Sequence, residues 1–315
     1  MLMKTFRLLV LFLSLSATGC IHGDPDIDCP IKTEENTTVY FSLKDNANNQ
    51  ILSTTVDNIT LFVYDSNGLL VTRSAISKSE LNLFSGIRLK LNPGIYTLVA
   101  WANHTNAHSR FFTKGENSYV DQENNYLLTA VTENGIIDNG DPLYYAPKIK
   151  NTPLMVTVPM EGSVEVTAEF RNAHIKLEVT VEGYDALLTR AMDPLTIELT
   201  NITSRYSFGM GAHGDKVSYI RQAPNIDPEN KIFSTLFNVP IFDRNSDIQI
   251  LVTNSDGRLI IVPILLTELL GDTIVLEEIL YLPIRIIFTE ENGLLQAVVV
   301  VDLPEWGENE VKPNI

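Results

Sequence analysis

Residues 164–182 read VEVTAEFRNAHIKLEVTVE, and apolar side chains alternate with polar ones along two successive segments of this stretch. The apolar positions of the first segment run from Val164 to Phe170, and those of the second run from Ile175 to Val181. A period of two is typical of a β-strand with one buried and one solvated face. Two such segments in a row predict antiparallel sheet that covers a hydrophobic core.

The same alternation recurs along most of the chain, and Gly, Pro, Asn and Asp separate the segments. Two hairpins are predicted before this stretch: residues 59–64 and 69–76 around Asn67-Gly68, and residues 87–91 and 95–101 around Asn92-Pro93-Gly94. Further strands are predicted at residues 195–202, 248–253, 259–265, 281–288 and 294–303. Because no long amphipathic helix interrupts these segments, the sequence predicts an all-β protein.

The length and the pattern together favour two domains. At roughly 150 residues per domain, 315 residues suggest two. The alternation restarts after a turn near residue 161, and strands with one buried face need a core of their own. We therefore predict two tandem antiparallel β-sandwich domains, an N-terminal one at residues 31–160 and a C-terminal one at residues 161–315.

The composition excludes several classes of protein. Hydrophobic residues make up 44% of the chain, which is enough for a core and argues against general disorder. The formal charge of −16 argues against nucleic acid as a partner, because a phosphate backbone needs a basic footprint. The two cysteines are too few for a disulfide scaffold of this size.

The first residues have the features of a lipoprotein signal peptide. Lys4 and Arg7 precede the apolar run 8–15, and small residues lead to Gly19 and then Cys20. The segment LSATGC at residues 15–20 resembles a bacterial lipobox, which implies cleavage after Gly19 and attachment of acyl chains, palmitate among them, at Cys20. Residues 1–19 are thus predicted to be a signal peptide. An ordinary secretory signal that ends beside a cysteine is the alternative.

Residues 20–30 read as an extended, lipidated tether. Asp24, Asp26 and Asp28 lie close behind the cysteine, and they resemble the signal that exports Bacteroidetes lipoproteins to the outer face of the outer membrane. The alternatives are a merely solvated linker or a weak hard-cation site. Cys29 has no basic neighbour to activate its thiol and is expected to be a bystander.

The sequence contains no arrangement that indicates catalysis. His104 and His108 have helical metal-ligand spacing, but they lie in loop sequence without a further ligand. Residues 208–214 are rich in glycine, yet the strand-to-helix context of a dinucleotide-binding loop is missing. We therefore expect no catalytic residue, no metal and no cofactor, and we predict that the protein is not an enzyme.

The order of these features resembles the fimbrillin-associated anchor proteins of Bacteroidetes, the minor subunits at the base of type V fimbriae. The resemblance rests on the lipobox, the acidic tether, Asp28-Cys29-Pro30, the strand Val39-Tyr40-Phe41 and the segments 59–68 and 91–103. It is strongest over residues 20–103 and returns with the alternating strands after Ser163.

This resemblance implies two transthyretin-like β-sandwich domains, a lipid anchor in the outer membrane and assembly by donor-strand exchange. In that scheme a polymerising subunit loses its first strand to a protease, often an arginine-specific one, and a neighbour's strand fills the vacated groove. An anchor keeps its N-terminus, because cleavage there would release the fibre from the lipid. The expected protein is a surface-exposed lipoprotein at the base of a fimbrium, which binds fimbrial subunits, ends elongation and serves cell adhesion.

The distribution of arginine is consistent with an anchor. Between Cys20 and Arg73 the sequence contains no arginine, although Lys32 and Lys44 could serve a protease of another specificity. At the other end, residues 307–315 are polar and contain Pro313, which makes them a poor strand to donate. The apolar residues 294–303 would be a better strand unless they belong to the sheet of their own domain.

Two alternatives stay open at this point. The protein could be a stalk or tip fimbrillin, which shares the all-β architecture. It could also be a surface glycan-binding lipoprotein, with Phe111, Phe112, Tyr144 and Tyr145 as a carbohydrate platform.

Overall fold

The computed structural model describes residues 35–45, 47–105, 107–113, 125–129, 136–146, 154–184, 194–209, 211–243, 245–270, 279–291, 294–303 and 307–311. Within these ranges nearly all regular structure is β-strand, so the predicted all-β class is confirmed. The strands are β1 Thr37–Ser42, β2 Asn58–Tyr64, β3 Leu70–Ser77, β4 Gly86–Leu89, β5 Gly94–Ala102, β6 Arg110–Thr113, β7 Asn125–Leu128, β8 Ile136–Ile137, β9 Tyr144–Ala146, β10 Leu154–Val158, β11 Val164–Glu169, β12 Arg171–Asn172, β13 His174–Glu182, β14 Leu195–Ser207, β15 Ala212–Ala223, β16 Asn225–Asp227, β17 Ile232–Pro240, β18 Gln249–Thr253, β19 Ile264–Leu265, β20 Tyr281–Glu291, β21 Leu294–Leu303 and β22 Gly307–Val311. Short helices are α1 Leu52–Thr55, α2 Lys78–Leu83 and α3 Leu266–Leu270.

These helices have four to six residues each, and none in the described part of the chain is long and apolar enough to cross a membrane.

Two sheets enclose a first core. The smaller sheet has the strand order β11-β1-β4. The larger sheet has the order β12-β9-β5-β2-β3, and β10 pairs with β5 as well. The alternation in the sequence is borne out, because the inward-facing residues of both sheets are buried together: Val39, Phe41, Leu89 and Ala168 from the smaller sheet and Leu61, Val63, Leu98, Ala100 and Val156 from the larger one.

Two further sheets enclose a second core. One has the order β16-β17-β13-β20-β21-β22, and the other has the order β19-β18-β14-β15-β8, with β7 paired to β14. Their inner faces bury a mainly aliphatic set of side chains, which includes Ile175, Leu177, Val179, Ile284 and Val299 from the first of these sheets and Leu195, Ile197, Leu199, Tyr219 and Ile250 from the second.

Several strand pairings join residues on the two sides of the boundary predicted near residue 161. β11 pairs with β1 and carries Ala168 into the first core. β7 and β8 pair with β14 and β15, which are strands of the second sheet pair. The stretch at residues 164–182 therefore runs from the first sheet pair to the second. Period-two alternation shows that a strand has one buried face, but it does not show which core that face meets. The division into two domains at residue 161 stays a prediction.

The first predicted hairpin is confirmed. β2 and β3 are antiparallel, and Gly68 in the turn between them has a φ of 79°. Asp65 fixes this turn, since its Oδ1 accepts hydrogen bonds from the N–H groups of Asn67 (2.8 Å) and Leu69 (2.9 Å).

The second predicted hairpin is wrong. β4 pairs with β1, whereas β5 pairs with β2, β9 and β10, so the two strands lie in different sheets of the first pair. The turn Asn92-Pro93-Gly94 thus carries the chain across the core. Two strands joined by a turn show the same alternation of apolar and polar residues whether they pair with each other or lie in opposite sheets of one core. The sequence pattern therefore does not distinguish these two arrangements.

Aromatic side chains join the two sheet pairs. Phe62 and Trp101 point outward from the larger sheet of the first pair, and Phe208, which follows β14, lies with its ring centroid 4.8 Å from that of Phe62. Tyr145 packs on Trp101 at a centroid distance of 5.7 Å. Such pairs contribute roughly 0.5–1.5 kcal/mol each beyond their buried area. The 13 residues of β14 span roughly 43 Å, so that one strand reaches from the second core to this junction.

A buried histidine lies at the same junction. His174 is 1% exposed, and its Nδ1 donates a hydrogen bond of 2.8 Å to the carbonyl of Leu143. The same carbonyl accepts the N–H of Ala173 at 2.9 Å, and the ring of Tyr144 meets the imidazole edge-on. Burial lowers the pKa of His174 to about 4, and the charge of Lys176 acts in the same direction.

The lowered pKa of His174 should make the stability of the fold depend on pH. An unfolded chain protonates His174 near pH 6.5, whereas the folded chain does so only near pH 4, so the unfolded state binds more protons between these values. The free energy of unfolding should therefore fall as the pH is lowered from 6.5 to 4, by about 3 kcal/mol from this group. Urea unfolding across this range checks it.

The control is His174→Gln, which keeps a donor for Leu143 but does not titrate. The difference in unfolding free energy between the wild type and this variant should change between pH 6.5 and 4 and then level off. Parallel curves for the two proteins would contradict the assignment.

Candidate strand-exchange site

β1 is the central strand of its sheet and is hydrogen-bonded along both edges. All six of its residues pair with β11 in parallel register, and the first four pair with β4 in antiparallel register. Backbone bonds extend the pairing at both ends of β1: the N–H of Asn36, just before β1, donates to Leu89 O (3.0 Å), and the N–H of Phe170, just after β11, donates to Ser42 O (2.7 Å). The first strand is thus an internal part of the fold.

Side-chain contacts also hold β1 in its sheet. Val39 and Phe41 are 0% and 2% exposed in the first core, and the ring of Phe41 lies 5.8 Å from that of Phe170. Just before the strand, Asn36 bonds the backbone of Leu91 twice: its Oδ1 accepts from the N–H at 3.0 Å, and its Nδ2 donates to the carbonyl at 2.7 Å. Loss of this strand would open a groove lined by core side chains and would leave two strands without a partner along one edge.

The first arginine after Cys20 lies within a paired strand. Arg73 belongs to β3 and is directly opposite Phe62 of β2. Its guanidinium lies over two rings, 5.2 Å from the centroid of Phe62 and 5.5 Å from that of Phe111. Proteolysis favours exposed loop tips and unpaired segments. The peptide bond after Arg73 is therefore a poor cleavage site in the folded chain.

The C-terminal strands form an edge of the second sheet pair. Residues 294–303 are β21, and Val299 and Val301 are fully buried. This apolar segment therefore belongs to a sheet of the second pair. β22 pairs with β21 over Gly307–Val311 and ends the strand order. Among the described strands β22 pairs with β21 alone, and an edge strand of this kind is one to which a strand from another chain can add.

The residues predicted to carry the lipid and the export signal lie outside the described part of the chain. These are Gly19, Cys20, Asp24, Asp26 and Asp28, together with Cys29. Cleavage after Gly19, lipid on Cys20 and export through the acidic triplet stay predictions.

The two histidines that have metal-ligand spacing lie in different surroundings. His104 is half-buried, with its Nδ1 3.0 Å from Asn58 Oδ1 and its ring 4.5 Å from that of Phe111, while His108 is exposed. Burial lowers the pKa of His104, and so does the charge of Arg73. In the described ranges no three His, Cys, Asp or Glu side chains form a group that could hold a metal.

The four aromatic residues of the alternative glycan platform do not form one surface. Tyr144 and Tyr145 are buried, and Phe111 packs at the junction against Phe62. Phe112 is 46% exposed and stacks on Tyr126 at a centroid distance of 4.8 Å. One exposed ring of four is not a platform.

Sequence reasoning missed one buried carboxylate. Asp141 is 4% exposed and accepts hydrogen bonds from Thr105 N (3.0 Å), Thr105 Oγ1 (2.8 Å) and the hydroxyl of Ser109. It ties the loop after β5 to the segment before β9. Its position in a polar loop sequence gave no signal of burial.

Solved structures with the same fold come from Porphyromonas and Bacteroides species. The fimbrial anchor protein Mfa2 from Porphyromonas gingivalis matches with a TM-score of 0.67 at 16% identity, covering 89% of this chain and 99% of that one. A candidate adhesin from Bacteroides ovatus matches with a TM-score of 0.67 at 13% identity, covering 88% and 95%. A candidate polysaccharide-binding protein from Bacteroides thetaiotaomicron matches with a TM-score of 0.66 at 15% identity, covering 89% and 99%.

Comparison with curated protein sequences gives no significant match. These neighbours define the class by its fold, that of predominantly antiparallel all-β proteins. More particularly, the chain belongs to the family of fimbrillin-A associated anchor proteins Mfa1 and Mfa2, whose family model matches residues 25–312. The resemblance noted in the sequence is thereby confirmed.

The burial of β1 predicts how much the first strand contributes to stability. Phe41→Ala should lower the free energy of unfolding by about 3–5 kcal/mol, because it removes a buried ring and leaves a cavity against Phe170. Urea unfolding measures the change.

Tyr40→Ala is the matched control on the other face of β1. It loses an edge contact with Phe84 and a 3.3 Å bond to Glu165 at the surface, so it should cost about 1 kcal/mol or less. Equal, small effects of both variants would mean that β1 is not part of the cooperative core.

Proposed function

We propose that this protein is an outer-membrane lipoprotein that anchors a type V fimbria at the cell surface and ends its elongation. Acyl chains on Cys20 hold the chain in the membrane. The folded part binds the adjacent fimbrial subunit by β-strand exchange. The family supports a fimbrial role, and the first strand supports the role of anchor.

The observation that carries the proposal is the double pairing of β1 in a chain that has no arginine before it after Cys20. A subunit that continues a fibre must lose its first strand so that a neighbour's strand can enter. In this chain β1 is bonded on both edges, and the sequence from Cys20 to Arg73 contains no arginine. A chain that keeps β1 has no vacated groove to accept another subunit's strand, so elongation ends with it.

The same chain still needs a strand or an edge with which to hold one neighbour. The apolar β21 is committed to its own core through Val299 and Val301. β22 is the last described strand and is paired on one side only. We therefore assign the exchange to the β22 edge, with residues 307–311 as the segment that pairs with the adjacent subunit.

Removal of the lipid attachment site tests the anchor role. In cells that express Cys20→Ala, fibres should still assemble but should be recovered in the medium, because the base of the fibre has lost its membrane attachment. Immunoblotting of cell and medium fractions measures the change. Cys29→Ala is the matched control and should leave the fibres on the cells. Fibres that stay on the cells with Cys20→Ala would contradict the proposal.

Mass spectrometry of purified fibres separates an anchor from a stalk or tip subunit. The anchor should retain an acylated Cys20 joined through the tether to β1. A chain that begins after Ser42 would be a processed stalk subunit.

A further inference from the structure

The end of the first sheet pair at which β1 begins carries exposed apolar side chains. Met160 is 89% exposed in the connection between β10 and β11. Met155 and Ile95 are 57% and 47% exposed on β10 and β5. We refer to Ile95, Met155 and Met160 as the tether-end patch.

The strand register places Ile95 and Met155 together, and Met160 follows two residues after the end of β10. Ile95 is opposite Thr157 and Met155 is opposite Thr97, so Ile95 and Met155 are diagonal neighbours on one face of the sheet. This is the outer face, because the alternate residues Tyr96, Leu98 and Val156 point into the first core: all three belong to that core. Farther along this face, aromatic residues cover the sheet at the junction. The tether-end patch is the part that they leave uncovered.

The patch lies where the chain arrives from Cys20. The N–H of Val164 donates to the carbonyl of Asn36 at 2.9 Å, and Met160 is only four residues before Val164. Asn36 immediately precedes β1. From Cys20 to Asn36 the chain has 16 residues, so the start of β1 can be no farther than about 55 Å from the lipid-bearing residue.

We propose that the tether-end patch inserts into the boundary between headgroups and hydrocarbon of the membrane leaflet that holds the lipid of Cys20. This inference rests on the proposed function, because it needs the acylated tether. A tethered domain meets the membrane at high effective concentration, so a few apolar side chains at one end suffice to hold it there. The unbranched thioether side chains of Met155 and Met160 suit an irregular lipid surface.

Insertion of this end gives the anchor a fixed orientation. The end of the first sheet pair at which β1 begins faces the lipid, and its other end faces away. A fimbrial subunit bound elsewhere is then presented at a defined angle to the membrane. Without the contact, the folded part could point in any direction that the tether allows.

Leu83 provides a matched control. It is 88% exposed, close to the value for Met160, and it lies at the end of α2. The N–H of Phe41 donates to the carbonyl of Ser85, so Leu83 lies at the end of β1 opposite to Met160. Exposure and hydrophobicity are alike at the two positions, and only their place relative to the tether differs.

The experiment uses the full mature, acylated chain in vesicles of phosphatidylethanolamine and phosphatidylglycerol that contain brominated acyl chains. Tryptophan is introduced as Met160→Trp or, in the control, as Leu83→Trp, and the emission of the parent chain is subtracted. We expect the bromines to quench Met160→Trp severalfold more than Leu83→Trp. In the background Met160→Asp, the emission of Ile95→Trp should lose its quenching.

Flotation of the vesicles separates the two possible failures. A chain that does not float with the vesicles would overturn the proposed lipid anchor and this inference with it. A chain that floats but shows equal quenching at residues 83 and 160 would overturn the membrane contact alone. Quenching at Ile95→Trp that persists with Met160→Asp would also contradict insertion of the patch as one surface.

Discussion

The pairing of β1 along both of its edges is the constraint on which the rest of the structure depends. β1 joins the other two strands of the smaller sheet of the first pair, and its residues Val39 and Phe41 pack in the first core. Because β11 has β1 as its only partner in the strand order, and β4 likewise, the smaller sheet exists only while β1 is in place. If the chain is held in a membrane through Cys20, as we propose, it would stay attached through β1 for as long as the first sheet pair stays folded.

From β1 a continuous path of paired strands leads to the C-terminal edge. β11 is parallel to β1 and runs on through β12 into β13, which is an internal strand of the second sheet pair. β13 is parallel to β20, and β20 leads through β21 to β22. The aromatic contacts around Phe62 and Trp101 hold the two sheet pairs together beside this path. Tension between a tether at β1 and a partner at β22 would thus act on hydrogen-bonded strands throughout.

The sequence predicted the elements better than their partners. Period-two alternation identified the strands at residues 175–182 and 281–288, and Asn67-Gly68 identified a hairpin because glycine tolerates the positive φ of residue 68. The sequence did not show that β4 and β5 lie across a core from each other, or that β11 pairs with β1. Alternation indicates that one face of a strand is buried, but it does not indicate which other strands pack on that face. Tyr144 and Tyr145, which the sequence left open as part of an alternative carbohydrate platform, are buried in the structure. The lipid site, by contrast, was predicted from the order of residue types in the leader, where no packing is involved.

A reversible lock on β1 tests the central claim most directly. Thr38 and Arg88 are cross-strand neighbours of β1 and β4, the first half-buried and the second exposed, so Thr38→Cys with Arg88→Cys can form a disulfide between the strands. We expect cells that express the double variant to carry as many attached fibres as the wild type, with the cross-linked chain at the fibre base. Loss of attached fibres with the double variant, with their return on addition of a reductant and no loss in either single variant, would show that β1 must leave the sheet and would contradict the account.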